Sequence, residues 1–282
     1  MTRKIYASAR LLLHILAGVV LLALTGAIWN NKTQLVKSTK QWWLARTVHL
    51  LGINVNIHGQ MPMPTNSKGI LYVSNHVSWI DIPLIGGLSQ LNFLSKAEVR
   101  SWPLIGKLAE GTGTLFIKRG SGDATRVSES IARYLDDGRS VLFFPEGTTS
   151  DGKTVRKFHS KLFKATHHTT VNVCPIAIHY HFDQSEIPSS DNPIAFIDDD
   201  EFTQHLWRVL GLPKVSATVE FLPVRSAPSD NLEVFVRGLR SEINEALQQL
   251  QLQLQRKTST NIQLPDASTH DGQRDEATSF YS

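Results

Sequence analysis

Asn75-His76-Val77-Ser78-Trp79-Ile80-Asp81 follows the apolar run Gly69 to Ser74 and sets a histidine five residues before a carboxylate. Histidine suits a reaction in which a hydroxyl oxygen attacks a carbonyl carbon, because imidazole can take the hydroxyl proton near neutral pH. A carboxylate on the other ring nitrogen would fix the tautomer and stabilise the imidazolium that forms. On a continuous helix of 3.6 residues per turn, two such side chains stand about 140° apart and cannot meet. With His76 on a loop and a helix starting at Ser78, Asp81 falls in the first turn and can face back toward the ring. The same register fits a second explanation, since Ser78-x-x-Asp81 has capping-box spacing and Asp81 would then only satisfy backbone amides.

Two further clusters carry suitable chemistry. Phe144-Pro145-Glu146-Gly147-Thr148-Thr149-Ser150 also follows an apolar run. Its glycine permits close backbone approach, its hydroxyls can hydrogen-bond, and its proline stiffens the turn. Glu146, in the tightest part, could orient a substrate hydroxyl or a basic neighbour. Gly113-Thr114-Leu115-Phe116-Ile117-Lys118-Arg119-Gly120 ends in two cations. Neighbours on a strand point to opposite faces, so only one of the two should face a given pocket. Arg119 is favoured, because a guanidinium grips phosphate oxygens with two parallel hydrogen bonds.

The elements that must hold these groups alternate. Strand-like runs begin at Ile53, Gly69, Leu91, Thr114, Ser140 and Val171, with helix-length segments at Asp123 to Asp137 and Phe158 to His168. That order predicts an α/β layered domain with a largely parallel or mixed sheet flanked by helices. Ligands in such sheets gather at the carboxyl ends of the strands, where His76 and Glu146 both fall. NPIAFIDDDEF (192–202) and SATVEFLPV (216–224) read as further strands around a short helix through Trp207 and Leu210. A helix from Asn231 to Gln255 follows.

In front of the domain, Leu11 to Trp29 contains no formally charged residue, and its length suits a hydrocarbon layer of about 30 Å. It reads as a retained membrane anchor, with no small-x-small cleavage site after it. The segment Thr33 to Leu51 reads as an amphipathic helix whose Trp42 and Trp43 suit the headgroup level. The divisions are therefore a membrane anchor and amphipathic helix (1–51), an α/β domain (52–256) and a disordered Ser/Thr/Asp-rich tail (257–282). The formal charge is only +4, but the sequence pI of about 9.2 and the placement of Lys and Arg favour anionic partners, and the single cysteine, Cys174, excludes an intramolecular disulfide. The expected setting is a bilayer, the inner or plasma membrane, with the catalytic domain facing the cytoplasm.

Taken in order, the Asn-His-x4-Asp block (75–81), the Gly-x-x-Phe-Ile-x-Arg block (113–119) and the Phe-Pro-Glu-Gly-Thr block (144–148) resemble the 1-acylglycerol-3-phosphate acyltransferase family. Val173-Cys174-Pro175-Ile176-Ala177-Ile178 is similar to a fourth block, and Lys96 to a family lysine between the first two. The resemblance spans Ile70 to Tyr180. It implies transfer of a fatty acyl group from acyl-acyl carrier protein or acyl-CoA to a lysophospholipid hydroxyl, without an acyl-enzyme and with no metal, redox cofactor or nucleic acid involved. It makes His76 the general base and Asp81 its orienting partner. Asn75, Arg119, Glu146, Gly147 and Thr148 would line the acceptor, and Lys96 would stabilise the oxyanion.

One departure concerns the acceptor. Many members of the family carry Phe-Lys-x-Gly after the Glu-Gly-Thr block, where this chain has Phe158-His159-Ser160-Lys161. The expected acceptor is lysophosphatidate, and behind it a lyso-ornithine lipid or another lysophospholipid. A thioesterase or lysophospholipase would use the same base on water, but the chain has no Gly-x-Ser-x-Gly elbow. A non-catalytic lipid-binding protein would explain the anchor and the charge, but not the ordered blocks. On this reading both His76→Ala and Asp81→Ala should fold and lose acyl transfer.

Overall fold

The computed structural model describes residues 2–27, 29–64, 68–118, 122–182, 192–197, 200–228 and 230–262, with side chains as far as 256. In chain order the elements are α1 (Thr2–Leu24), α2 (Gln34–Leu50), β1 (Ile53–His58), β2 (Leu71–Ser74), α3 (Asp81–Leu88), β3 (Leu91–Lys96), α4 (Ile105–Gly111), β4 (Leu115–Ile117), α5 (Ala124–Asp136), β5 (Ser140–Phe143), α6 (Ala165–His168), β6 (Asn172–Phe182), α7 (Phe202–Val209), β7 (Val215–Phe221), β8 (Arg225–Ser226) and α8 (Leu232–Ile262). The strands form one mixed sheet in the order β1-β7-β6-β2-β5-β3-β4, with β8 on β6. From β6 to β4 neighbouring strands are parallel, while β7 runs antiparallel to β6. The carboxyl ends of β2, β5, β3 and β4 therefore share one edge.

Every residue of β2 and β5 is buried, as expected for strands covered on both faces. Their side chains alternate between two cores. Tyr72 joins the cluster under α2 and α3, whereas Leu71 and Val73 join the one under α5 and α8. Helix α5 supplies Val127, Ile131 and Leu135 at helical spacing to the second core.

Helix α2 lies hard against α3 because α3 offers glycines where they cross. A Cβ at Gly87 would stand 2.7 Å from the Ala45 Cα, and one at Gly86 would stand 2.6 Å from the Leu44 Cδ1. This close approach fixes α3, whose first residue is Asp81.

Helix α1 starts and ends earlier than the apolar run suggested and is fastened along its length. Arg3 Nη2 donates to Leu212 O (2.9 Å), and His14 stacks on Trp43, whose Nε1 donates to His14 O (3.0 Å). A Cβ at Gly18 would lie 2.7 Å from the same indole. The opposite face leaves Leu12, Leu13, Leu16, Val20 and Leu24 exposed.

Four expectations are corrected. Helix α3 begins at Asp81, not at Ser78. Residues 158–168 form a 3-10 turn and the single helical turn α6, not one helix. The described part of 192–202 is not a strand up to α7. Ile194 and Ala195 are buried, but the Phe196 N–H donates to Val77 O, so this apolar segment covers the His76 loop instead of joining the sheet. Helix α8 continues to Ile262, past the expected boundary at 256, and the remainder of the expected tail lies outside the described residues.

Candidate active site

The loop between β2 and α3 turns His76 toward Asp81 without a helix between them. His76 Nδ1 lies 2.7 Å from Asp81 Oδ2. The same oxygen accepts the amides of Val77 (2.8 Å) and Ser78 (3.0 Å), and Oδ1 accepts the Tyr180 hydroxyl (2.7 Å). Asp81 thus orients the ring and satisfies backbone amides at once. The capping box is only half made, because the Ser78 hydroxyl has no partner among the described residues. With the carboxylate accepting at Nδ1, that nitrogen carries the proton and Nε2 is left to act as the base.

The ring lies flat on Phe144, with centroids 3.8 Å apart and planes 7° from parallel, and the His76 side chain keeps 17 % of its exposure. Stacking on one side and the carboxylate on the other leave the imidazole a single orientation. Tyr180 comes from β6, on the strand face that also presents Cys174, Ile176 and Ile178 to the first core. Burial, and then the Asp81 charge, push its phenol well above the ordinary range, so it remains a donor to the carboxylate.

The Glu146 loop clamps the His76 backbone. Glu146 Oε1 accepts the His76 N–H (2.8 Å), and Oε2 accepts the Arg156 N–H (2.9 Å). Ser150 N–H in turn donates to His76 O (2.8 Å). Burial raises the Glu146 carboxyl above its usual range, against the opposing pull of these amides. The loop is shaped by a turn in which Gly147 N–H donates to Phe144 O, with Gly147 at φ 70°. That left-handed conformation suits glycine.

The expected site residues are not all gathered. Asn75 is buried, and both ends of its carboxamide bond the backbone of Ile178 (2.9 and 2.8 Å), so it ties β2 to β6 instead of lining a substrate space. Gly147 and the part-buried Thr148 lie in the loop beside His76. Lys96 ends β3 on the same edge, but β5 stands between β3 and β2, which sets its backbone about 10 Å from that of β2 at ordinary strand spacing. Arg119 lies outside the described residues. Burial pushes the Cys174 thiol up to about 12, which makes it a packing residue and not a nucleophile.

Tyr180 is absent from the sequence-based set, although strand alternation puts it on the same face as Ile178, and Phe144 has no role there. Arg156 is a further omission, and it meets Glu146 through its main-chain N–H while its side chain is exposed. Trp79 is another. Its Nε1 donates to His205 Nδ1 (3.0 Å), so His205 Nε2 carries the proton toward the carbonyls of Ile194 and Ala195. This chain of contacts ties α7 and residues 192–197 over the His76 loop.

Comparison with known proteins bears directly on this arrangement. The Acyltransferase family matches residues 54–179. A lyso-ornithine lipid O-acyltransferase of Pseudomonas aeruginosa is 42 % identical over 242 residues, covering 82 % of this chain and 89 % of that protein. A 1-acyl-sn-glycerol-3-phosphate acyltransferase of Neisseria gonorrhoeae is 30 % identical over 199 residues, covering 67 % and 76 %. The crystal structure of the 1-acyl-sn-glycerophosphate acyltransferase PlsC from Thermotoga maritima superposes with a TM-score of 0.59 at 18 % identity, covering 87 % of this chain and 98 % of that one, and shares the fold. Similarity that runs through the His76 loop, the Glu146 loop and the sheet carrying both makes this chain a member of the acyltransferase family, an enzyme of the lysophospholipid type.

Proposed function

We propose that the enzyme acylates the free hydroxyl of a lyso-ornithine lipid, using His76 as general base. The observation that carries the acceptor is the 42 % identity across 89 % of a lyso-ornithine lipid O-acyltransferase, against 30 % for a relative named for 1-acyl-sn-glycerol-3-phosphate. This reverses the order of acceptors expected from the motifs. The departure at Phe158-His159-Ser160-Lys161 is consistent with it, since His159 N–H donates to Pro145 O and brings this stretch against the Glu146 loop. An ornithine headgroup offers a carboxylate and an ammonium where lysophosphatidate offers phosphate.

In the proposed reaction His76 Nε2 takes the hydroxyl proton as the oxygen attacks the thioester carbonyl of acyl-acyl carrier protein or acyl-CoA. The tetrahedral intermediate collapses to ester and thiolate, and the imidazolium returns the proton to the departing sulfur. Asp81 stabilises the imidazolium, and Tyr180 holds Asp81. Lys96, on the same edge, is the proposed oxyanion partner. Glu146, Gly147 and Thr148 shape the acceptor side, and Asn75 keeps β2 and β6 in register. The thioester is a co-substrate, and this scheme uses no further cofactor.

The acceptor is tested with purified enzyme, both thioester donors and a panel of lysolipids. Lyso-ornithine lipid should give kcat/KM at least about tenfold above lysophosphatidate, the discrimination that one well-placed polar contact provides. Faster phosphatidate formation would overturn the assignment.

The apolar helix and the lipid substrate class associate the enzyme with a membrane. We further place α1 in one leaflet of the inner membrane with the catalytic domain on the cytoplasmic side, because its contacts from Arg3 to Leu22 hold it along the domain. High salt should leave the protein bound, since burial and not screened charge retains it. Protease added outside spheroplasts should spare both the domain and residues 2–10. Release by salt, or cleavage at either place, would refute this topology.

A further inference from the structure

From Gly152 to Phe182 the chain contains no aspartate or glutamate, and within that stretch lie Lys153, Arg156, Lys157, Lys161 and Lys164. Those five positive charges exceed the formal +4 of the whole protein. All five side chains are exposed, and none forms an ion pair among the described residues. Ser160–Lys164 is the 3-10 turn, in which residues three apart eclipse, so Lys161 and Lys164 project from one side while Phe163 between them is fully buried. Arg240 adds a guanidinium behind the stretch, its Nη2 donating to Val155 O (2.7 Å) and its Nε to Arg156 O (3.0 Å). Nearby carboxylates are engaged otherwise. Glu146 accepts the His76 and Arg156 amides, Asp151 accepts the Lys153 amide (3.0 Å), and Glu242 pairs with Arg225 (3.1 Å).

The Arg156 and His159 amides start this stretch at the Glu146 loop, on the edge that carries His76. From there it packs away from the membrane side. Val155, Phe158, Phe163 and Ala165 belong to the core shared with α5 and α8, whereas Leu11 of α1 and Leu44 and Val48 of α2 belong to the core on the other face of the sheet. The exposed apolar stripe of α1 lies in that other layer. A bilayer held by α1 is thus across the sheet from the basic surface, which opens to a partner arriving from water. Exposed charges on flexible stems do not converge on one small anion; they make an extended positive field, the complement of an acidic protein face.

We propose that the basic surface from Lys153 to Lys164 docks the acyl donor as a thioester borne on an acidic carrier protein, so that the enzyme discriminates this donor from acyl-CoA. Docking there sets the carrier beside the His76 edge, within the layer that the bilayer leaves free. The proposal rests on acyl transfer at His76 but not on which lysolipid accepts.

The test uses the full chain in detergent with saturating lyso-ornithine lipid and measures kcat/KM for palmitoyl-acyl carrier protein and for palmitoyl-CoA against sodium chloride concentration. The carrier-borne donor should lose about tenfold or more between low and high salt, as steered encounter does. Lys161→Glu/Lys164→Glu should lower kcat/KM for the carrier-borne donor by about tenfold at low salt and flatten its salt dependence, while acyl-CoA stays within about twofold of the parent. Retained turnover of acyl-CoA also shows that the variant is folded. An equal fall with both donors, or no fall with either, would overturn the proposal. So would loss of binding to phosphatidylglycerol vesicles with the carrier-borne rate intact, which would give the surface to lipid. Fluorescence anisotropy of a labelled acyl carrier protein reads docking without turnover. Absence of transfer from either thioester with salt-sensitive carrier binding intact would count against acyl transfer alone, and absence of carrier binding by the unaltered protein would sink the docking surface.

Discussion

His76→Ala should fold and lose acyl transfer by about 10²- to 10⁴-fold in kcat, the range that a positioned general base supplies. The ring is partly exposed, stacks on Phe144 and bonds Asp81. Its loss leaves Asp81 still accepting Val77, Ser78 and Tyr180. The stability cost should stay near about 1–2 kcal/mol, seen as a modest fall in melting temperature. Initial rates with a fixed thioester and lysolipid, beside that melting curve, separate chemistry from folding. A folded alanine variant with full activity would remove His76 from the mechanism.

Asp81 should behave differently from the expectation that its alanine variant folds. Asp81→Ala strands the Val77 and Ser78 amides and the Tyr180 hydroxyl in a buried place, and leaves the His76 ring Nδ1–H without its partner. At about 1–3 kcal/mol for each unsatisfied group, the total rivals the whole stability of an ordinary domain. The alanine protein should therefore express poorly or melt far below the parent. Asp81→Asn is the discriminating change. Its carbonyl can face the three N–H donors while its NH₂ donates to the Tyr180 oxygen, because a phenol both donates and accepts. Such a variant keeps the fold but lacks the charge that stabilises the imidazolium, and kcat should fall by about 10³- to 10⁴-fold. Activity within about tenfold of the parent would show that Asp81 serves the backbone alone.

The sequence made His76 and Asp81 visible because a His, a carboxylate and a preceding strand lie within a few residues of one another. It left open whether the carboxylate served the ring or the backbone, and the fold answers that it serves both. Other parts of the site were harder to read for physical reasons. Tyr180 reaches Asp81 across 99 positions, and only the pairing of β2 with β6 brings them together. Asn75 has the chemistry of a substrate ligand, yet the same pairing directs its carboxamide to Ile178. The run NPIAF has strand composition, but its burial is over a loop. Strands with both faces covered, such as Ser140–Phe143, were legible because an uninterrupted apolar run bounded by turns has few other uses in an α/β domain.

Arg156 meets the Glu146 carboxylate through its main-chain amide, and His159 meets Pro145 in the same way. Contacts of this kind are blind to side-chain identity, proline apart. The exposed positions between Asp151 and Lys161 can therefore be rewritten without disturbing the anchorage of His76, whereas Gly152 (φ 76°, against Val77) and the buried Val155 and Phe158 cannot. Under the proposed function, drift at those exposed positions changes the lipid acylated while His76 and Asp81 stay as they are. A graft of this loop between relatives should move acceptor preference as a portable part.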